Sequence, residues 1–369
     1  MWGKSADTIV HERFPFNAEA AASALARDEI TALDVFYCRN HGPIPDILAD
    51  DWHVDVDGLV ANPLRISFDQ LTSRFKKHRV VATLQCAGNR RAGFNEIREI
   101  AGEDPWGPGA TSTAEWHGAR LADVLDAAGT RRNDLHAAFV APDVSPLASP
   151  AQPFGGSIAL AKAMSDEVLL AWQMNDQPLP RIHGGPVRVL VPGYIGARSV
   201  KWVSGITVQE TPSRNYFQAF AYRILPPDCD PDRVGADTGI SLSAVALNCD
   251  ILVPDDGAHV AAGPLTIRGY AFTGDDHRVA RVEVSLDDGR TWCEAKLAPA
   301  QGRWAWRHWT LTVDARPGPL SVTARAWDTA GTTQPESAAE LWNPKGYANN
   351  AWARVRVEVS EPAGYWADG

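Results

Sequence analysis

Basic residues are the minority charge in this sequence. Thirty-five Lys and Arg stand against 45 Asp and Glu, a formal net charge of −10 at pH 7. That balance excludes a broad nucleic-acid-binding face, which needs a basic surface. It leaves room for a small cationic pocket, because net charge says nothing about local fields. Cysteine is scarce too: Cys38, Cys86, Cys229, Cys249 and Cys293 form an odd set with no Cys-x-x-Cys spacing. The pattern argues against a disulfide framework, a zinc ribbon or an attached c-type haem, and reduced thiols in a cytoplasmic setting fit it. No apolar run approaches the ~18 residues of a membrane span. The opening MWGKSADTIVHERFPFN has neither the apolar core of a signal peptide nor twin arginines. Internal repeats and low-complexity runs are also missing.

What is present suits a two-domain globular protein: 369 residues, 45% of them hydrophobic and 22% charged. Residues 1–236 mix patterns, which predicts an α/β or α+β domain. LADVLDAAG (121–129) carries helical spacing and ends on Gly129, a predicted C-cap. GSIALAKAMS (156–165) reads as a short helix. EVLLAWQM (167–174), PVRVLVPG (186–193) and SVKWVSGITVQE (199–210) read as strands. A Pro-, Asp- and Gly-rich linker follows at 223–239. Beyond it the texture changes to period-two alternation, in RVEVSLDDGRTWCEA (281–295, with Asp288-Gly289 as a hairpin signal), LSVTARAWD (320–328) and ARVRVEVS (353–360). Eight of the 14 Trp lie beyond residue 290, material for an aromatic-rich core. Residues 237–369 are therefore expected to form an all-β, immunoglobulin-like sandwich.

Four polar clusters stand out in the first domain. FYCRNHGPIP (36–45) places Arg39, Asn40 and His41 before a turn. ATLQCAGNRRAG (82–93) sets Cys86 at the end of a predicted strand, with Arg90 and Arg91 close behind. RIHGGPVR (181–188) holds His183 and Arg188. GARSVKW (196–202) holds Arg198, Ser199 and Lys201. Each has a plain structural reading: a solvated turn, a buried thiol, a satisfied loop histidine, basic stems lying over Trp202. Together, basic residues beside Gly-rich loops at strand ends describe an anion site. A thiol among cations is expected to ionise readily, and a thiolate suits a soft or high-valent metal. The residues alone do not name that metal.

The motifs RNHGPIP, ATLQCAGNRR, STAEWHGARLADVL, VRVLVPGYIGARSVKW and LWNPKGYANNAW occur in an order and spacing that resembles the sulfite oxidase family of molybdenum enzymes, in particular its haem-free plant type. The likeness runs from RFPFNAE (13–19) to NNAWARVRVEV (349–359). It implies an α+β molybdopterin-binding catalytic domain, 1–236, followed by an immunoglobulin-like dimerisation domain, 237–369. It implies molybdenum held by molybdopterin, with Cys86 as the protein's metal ligand. Tyr37, Arg39, Asn40, His41, Asp143, His183, Arg188, Arg198, Ser199, Val200 and Lys201 would hold the pterin and its phosphate. Arg39 and Arg91 would grip the substrate anion, Trp106 would wall its pocket, and Tyr222, with Tyr216 as the fallback, would hydrogen-bond beside the metal. The activity implied is oxidation of sulfite to sulfate by oxygen-atom transfer. Electrons would pass to an external acceptor, whether dioxygen, a cytochrome or another carrier. A cytoplasmic homodimer is expected.

Two positions depart from the family pattern. Lys345 stands where its sulfite oxidases carry Arg in the anion pocket, which keeps the charge and loses the bidentate fork. Phe154 stands where relatives often show Tyr. Because nitrate reductases of the same fold also depart from Arg at the position of Lys345, a nitrate reductase-like or other oxyanion-handling enzyme is the alternative. A molybdopterin-free anion-binding dimer is the non-enzymatic one.

Overall fold

The computed structural model describes residues 1–130, 132, 134–274 and 276–361. Residues 362–369 of the expected second domain, Trp366 among them, lie outside the described residues. Strands dominate, and the longest helices, Phe68–Arg74 and Leu121–Ala127, have 7 residues each. Ser67 caps the first with a reciprocal box to Gln70. The second ends where the sequence predicts, at Gly129 with φ +76°. No helix among the described residues is long and apolar enough to cross a membrane.

The first 210 residues build two five-stranded sheets. One joins Gln177–Pro178, Leu169–Met174, Thr111–Arg120 and Lys77–Gln85 in that order, with Arg188–Leu190 also paired to Leu169–Met174. The other runs Leu64–Ser67, His53–Gly58, Gly205–Gln209, His136–Ser145, Gln152–Ala159. Within it Gly205–Gln209 lies parallel to His53–Gly58, a pairing that needs a long crossover. The intervening chain carries three of the four polar clusters, all but that at 36–45. The main core packs Val54, Val56, Leu71, Leu121, Leu125, Phe139 and Ile206 between the second sheet and the helices.

Three expected elements differ. The predicted helix at 156–165 is strand as far as Ala159, because Gly156 and Ser157 pair with Phe139 and Ala138. Only Leu160–Ala163 is helical. The strand expected at 186–193 contracts to Arg188–Leu190, and that at 199–210 to Gly205–Gln209. In the second, the residues lost from the sheet include Ser199, Lys201 and Trp202, which turn toward the cavity described below; in the first, the cavity residue Arg188 stays in the strand.

The C-terminal region is a sandwich. A four-stranded sheet (Asn248–Val253, Gly263–Phe272, Arg307–Ala315, Lys296–Leu297) faces a five-stranded one (His259–Ala261, Ala353–Ser360, Gly318–Asp328, Val279–Ser285, Cys293–Glu294). Ile251, Ile267, Val282, Trp309, Val322 and Val355 pack between them. Ala353–Ser360 alternates buried and exposed residues throughout, as its sequence predicts. Asp288 and Gly289 both take positive φ, 56° and 87°, in the connection between Val279–Ser285 and Cys293–Glu294.

The two regions meet at the strand that leads to Cys86. Lys77–Gln85 pairs on one side with Thr111–Arg120 over its whole length. Its other side receives Trp304, bridged to Ala82, and the Thr83 N–H donates to the Trp304 carbonyl at 2.8 Å. The strand is thus held from both regions up to the residue before the thiol.

Candidate active site

Cys86 leaves the strand into a chain of tight turns, with Asn89 N–H donating to the Cys86 carbonyl and Arg91 N–H to that of Gly88. Arg90 sits in the left-handed region, φ 65°, an unusual conformation for a bulky residue. The turn sends the two arginines in different directions. Arg90 reaches the sandwich: its Nε pairs with Asp250 at 3.0 Å and its Nη1 donates to the Ala351 carbonyl at 2.7 Å. Arg91 turns toward Lys345, Glu103 and Asp104. Its Nε donates to the Lys345 carbonyl at 3.0 Å, its Nη1 to that of Asp104 at 2.8 Å, and its Nη2 pairs with Glu103 at 3.3 Å. Gly346 leaves the space for it, since a Cβ there would stand 2.6 Å from Arg91 Cγ. Pairing two adjacent guanidinium groups in this way answers the desolvation cost of burying them.

Beside Cys86 lies a cavity open at one end. It brings together ten of the sequence-predicted residues. Tyr37, Arg39 and His41 come from the first cluster, Cys86 from the second, His183 and Arg188 from the third, and Ser199 and Lys201 from the fourth. Asp143 and Tyr222 complete the set. Phe154 lines it too, stacked on the His41 ring at 4.4 Å. Its far end is basic and buried. Arg188 donates to the carbonyls of His183 and Ser199, each at 2.8 Å. Lys201 Nζ donates to the Arg39 carbonyl at 3.0 Å and to the Asn40 side-chain carbonyl, and lies 4.5 Å from the Trp202 ring centroid. Burial and then Arg188 pull Lys201 down to about 7, and burial pushes Asp143 up to about 7 against the pull of Lys201. Asp143 Oδ1 is buried with no protein partner.

The mouth end holds His41, whose Nε2 hydrogen-bonds Tyr222 Oη. Burial, then Arg39 and Lys201, hold His41 neutral, well below its ordinary pKa. Tyr222 has φ 55°, so its ring is aimed by a backbone conformation that costs energy. Burial raises its phenol above the usual range, opposed by Arg39. Burial pulls the Arg39 guanidinium down, but Tyr222, Cys86, Asp104 and Glu103 outweigh that and leave it above its ordinary value.

Cys86 corrects one expectation. Burial raises its thiol above the ordinary value. Arg91, Arg39 and a backbone hydrogen bond at Gly88 oppose the rise without overcoming it. In this protein surround the thiol is not a free thiolate, because desolvation of a buried anion exceeds the attraction of cations already engaged with carbonyls and Glu103.

A second, outer cleft shares Arg39, His41 and Tyr222 as its wall with the cavity, and adds Lys345, Tyr347, Glu103, Asp104 and Tyr216. Lys345 Nζ pairs with Glu103 at 3.4 Å. Tyr347 stacks on Tyr222 at 5.5 Å, and Arg91 lies over its ring. Tyr216, the fallback, is in this outer space and stacks on Phe220.

Five predicted residues line neither space. Arg91 is 2% exposed and engaged as described; Trp106 is fully buried in the cluster behind Cys86, edge-on to His11. Asn40 supports the wall, taking Lys201 on its carbonyl while its N–H₂ donates to the Phe16 carbonyl. Arg198 points away, donating to the carbonyls of Leu242 and Phe217, and the Val200 side chain is in the main core. Sequence reasoning missed Glu103 and Tyr347. The second is two places after Lys345 in a motif already singled out, and the first is three before Trp106. Outside these spaces, Glu115, His117 and Asp176 are the one group among the described residues with metal-ligand proximity. The carboxylates face different nitrogens of His117, and Arg79 occupies Glu115. That arrangement does not converge on an ion.

The donor set fits a molybdopterin. A buried Arg, Lys, His and Ser group suits a phosphate, the orphaned Asp143 oxygen suits the N–H groups of a pterin, and the Cys86 sulfur is a soft ligand whose proton a metal displaces.

The family comparisons agree. Residues 41–217 match the family model described as oxidoreductase molybdopterin binding domain, and residues 241–360 that of the Mo-co oxidoreductase dimerisation domain. The mitochondrial sulfite oxidase of Rattus norvegicus is 41% identical over 361 residues, covering 95% of this chain and 65% of the relative. The sulfite oxidase of Arabidopsis thaliana is 36% identical over 371 residues, covering 95% and 93%. The crystal structure of the sulfane dehydrogenase SoxCD from Paracoccus pantotrophus superposes with a TM-score of 0.78 at 27% identity, over 92% of this chain and 84% of that one. The chain spans about 65% of the length of the rat relative. The motifs, the two-region fold and these matches lead to one conclusion: the chain belongs to the sulfite oxidase family of molybdopterin oxidoreductases.

Proposed function

We propose that the chain oxidises sulfite to sulfate and passes the electrons to an external acceptor. One observation carries the reading: Arg39, His41 and Tyr222 form a common wall between a buried cavity that ends at Cys86 and a cleft open to solvent. Arg188, Lys201, Ser199 and His183 would hold the cofactor's phosphate and Asp143 its ring, with Cys86 as metal ligand. When bound, this cofactor supplies oxygen-atom transfer and two-electron chemistry. Arg39 presents a positive charge at the cavity mouth, where it draws a small anion and balances charge that develops there. Tyr222 keeps its proton and stays a hydrogen-bond donor, while neutral His41 orients it through the Nε2–Oη contact. Arg91, whose Nη2 pairs with the cleft residue Glu103, would serve the anion once that pair opens. Lys345 extends the positive charge into the cleft.

The preferred boundary keeps 1–236 as the catalytic part and 237–369 as the dimerisation part, and the family match over 241–360 supports a homodimer through the sandwich. Five unpaired thiols support a reducing, cytoplasmic setting. The test compares steady-state turnover of sulfite with an artificial acceptor against nitrate with a reduced dye. Sulfite turnover with no nitrate turnover is the expected result; nitrate turnover alone would replace this reading by the nitrate reductase-like one.

A further inference from the structure

The outer cleft is an odd anion site. Besides Arg39 its only cationic wall residue among the described residues is Lys345, and four carboxylates, Glu12, Glu103, Asp104 and Asp232, line it as well. One of them is placed where an oxyanion would go. Glu103 Oε1 lies 3.4 Å from Lys345 Nζ, and Oε2 lies 3.3 Å from Arg91 Nη2. No other ion pair engages either cation among the described residues. The remaining recorded partners of Arg91 are the carbonyls of Lys345 and Asp104 and the face of Tyr347. Both Glu103 contacts are longer than the ~2.8 Å of a tight charge-assisted bond, so one carboxylate spans two cations without fully satisfying either. Its side chain is 18% exposed, close enough to solvent to swing aside and be rehydrated.

We propose that Glu103 is a built-in competitor of the substrate oxyanion, and that it sets the site's affinity by holding Arg91 and Lys345 until a small anion displaces it. This rests on the sulfite-oxidising reading of the site. Such a device keeps a buried guanidinium paired when the cleft is empty of substrate. It also weakens retention of the sulfate product, because every oxyanion must first displace a carboxylate. Lys345 belongs to the same device: a point charge on a flexible stem can move from Glu103 to substrate, whereas a bidentate Arg would hold the carboxylate harder.

The test measures two quantities on the holoenzyme: KM and kcat for sulfite, and the Kd of inorganic sulfate by titration calorimetry at fixed ionic strength. Glu103→Gln is expected to lower both the sulfite KM and the sulfate Kd by about ten-fold, roughly 1.4 kcal/mol, with the change falling on KM rather than kcat. Glu103→Asp, one methylene shorter and unable to span both cations, is expected to give an intermediate tightening and serves if the first variant does not fold. Lys345→Met is expected to weaken sulfate more in the Glu103→Gln background than in the natural protein, a coupling read by the double-mutant cycle. Unchanged or weaker sulfate binding in both Glu103 variants, or no coupling to Lys345, overturns the proposal. The sulfate titration does not depend on turnover. Tighter sulfate in a protein that fails to oxidise sulfite would sink the functional reading and leave this one standing.

Discussion

The two regions of the molecule bury different chemistry. Of the buried residues, Arg91, Arg188, Arg198, Arg223, His41, His117 and His183 all precede residue 240. The sandwich buries apolar side chains around Trp309, and Asp250, one of its two buried carboxylates among the described residues, is answered by Arg90 from the other region. Left-handed non-glycine backbone occurs in both regions, Asp288 and Ala348 included, but at Arg90, Trp202 and Tyr222 it stands at or beside the cavity. A fold carries desolvated cations and strained turns only where surrounding structure over-determines them. Here the sandwich helps to supply that structure, through Trp304 against the strand that leads into Cys86 and Asp250 against the turns that leave it.

That contrast can be broken most sharply at the thiol. Cys86→Ser should cut turnover by more than about 10³-fold, at least ~4 kcal/mol of barrier, while the thermal midpoint changes little; unaltered turnover would remove Cys86 from the chemistry. The complementary substitution, Trp309→Ala in the sandwich core, should cost about 3–5 kcal/mol of stability and leave kcat per folded molecule close to that of the natural protein. A kcat loss larger than the loss of folded protein would show that the sandwich does more than support.

How far the sequence reveals this division depends on what each residue's role requires. Period-two alternation names the sandwich strand Ala353–Ser360 residue by residue, because one face is buried and one is wet. The catalytic region defeats the same reading at 156–165 and 199–204. There Gly-rich and basic segments are shaped by a pair with a distant strand or by the cavity, neither of which leaves a local period. Residue types at strand ends were enough to pick out Cys86, Arg39, His183, Arg188 and Lys201. They did not separate Arg188, which faces the cavity, from Arg198, which clamps Leu242 and Phe217, since both are arginines a few residues after a glycine. Glu103 was illegible because an acidic residue in an acidic chain carries no signal until its two cations are seen around it.

Smaller effects sharpen the comparison within the catalytic region. Tyr222→Phe removes one hydroxyl, keeps the ring stacked on Tyr347, and should lower kcat by about 10²-fold. A change confined to KM would make Tyr222 a binding group only. Acid gives a milder test. His183 is held neutral by burial, then by Lys4, Lys201 and Arg188. With its folded pKa below the unfolded value of about 6.5, the unfolded chain takes up more protons as pH falls below that value, so stability is lost on acidification. Between about pH 7.5 and about pH 5.5 the thermal midpoint should drop, and His183→Gln should recover about 2–4 °C of that drop. A recovery absent in the variant would mean that His183 does not carry the acid sensitivity.

The central claim is that the sulfur of Cys86 binds molybdenum inside the cation-lined cavity. X-ray absorption at the molybdenum edge tests it on the holoenzyme and its Cys86→Ser variant. The account predicts one molybdenum–sulfur bond fewer in the variant; an identical sulfur shell in both proteins would contradict it.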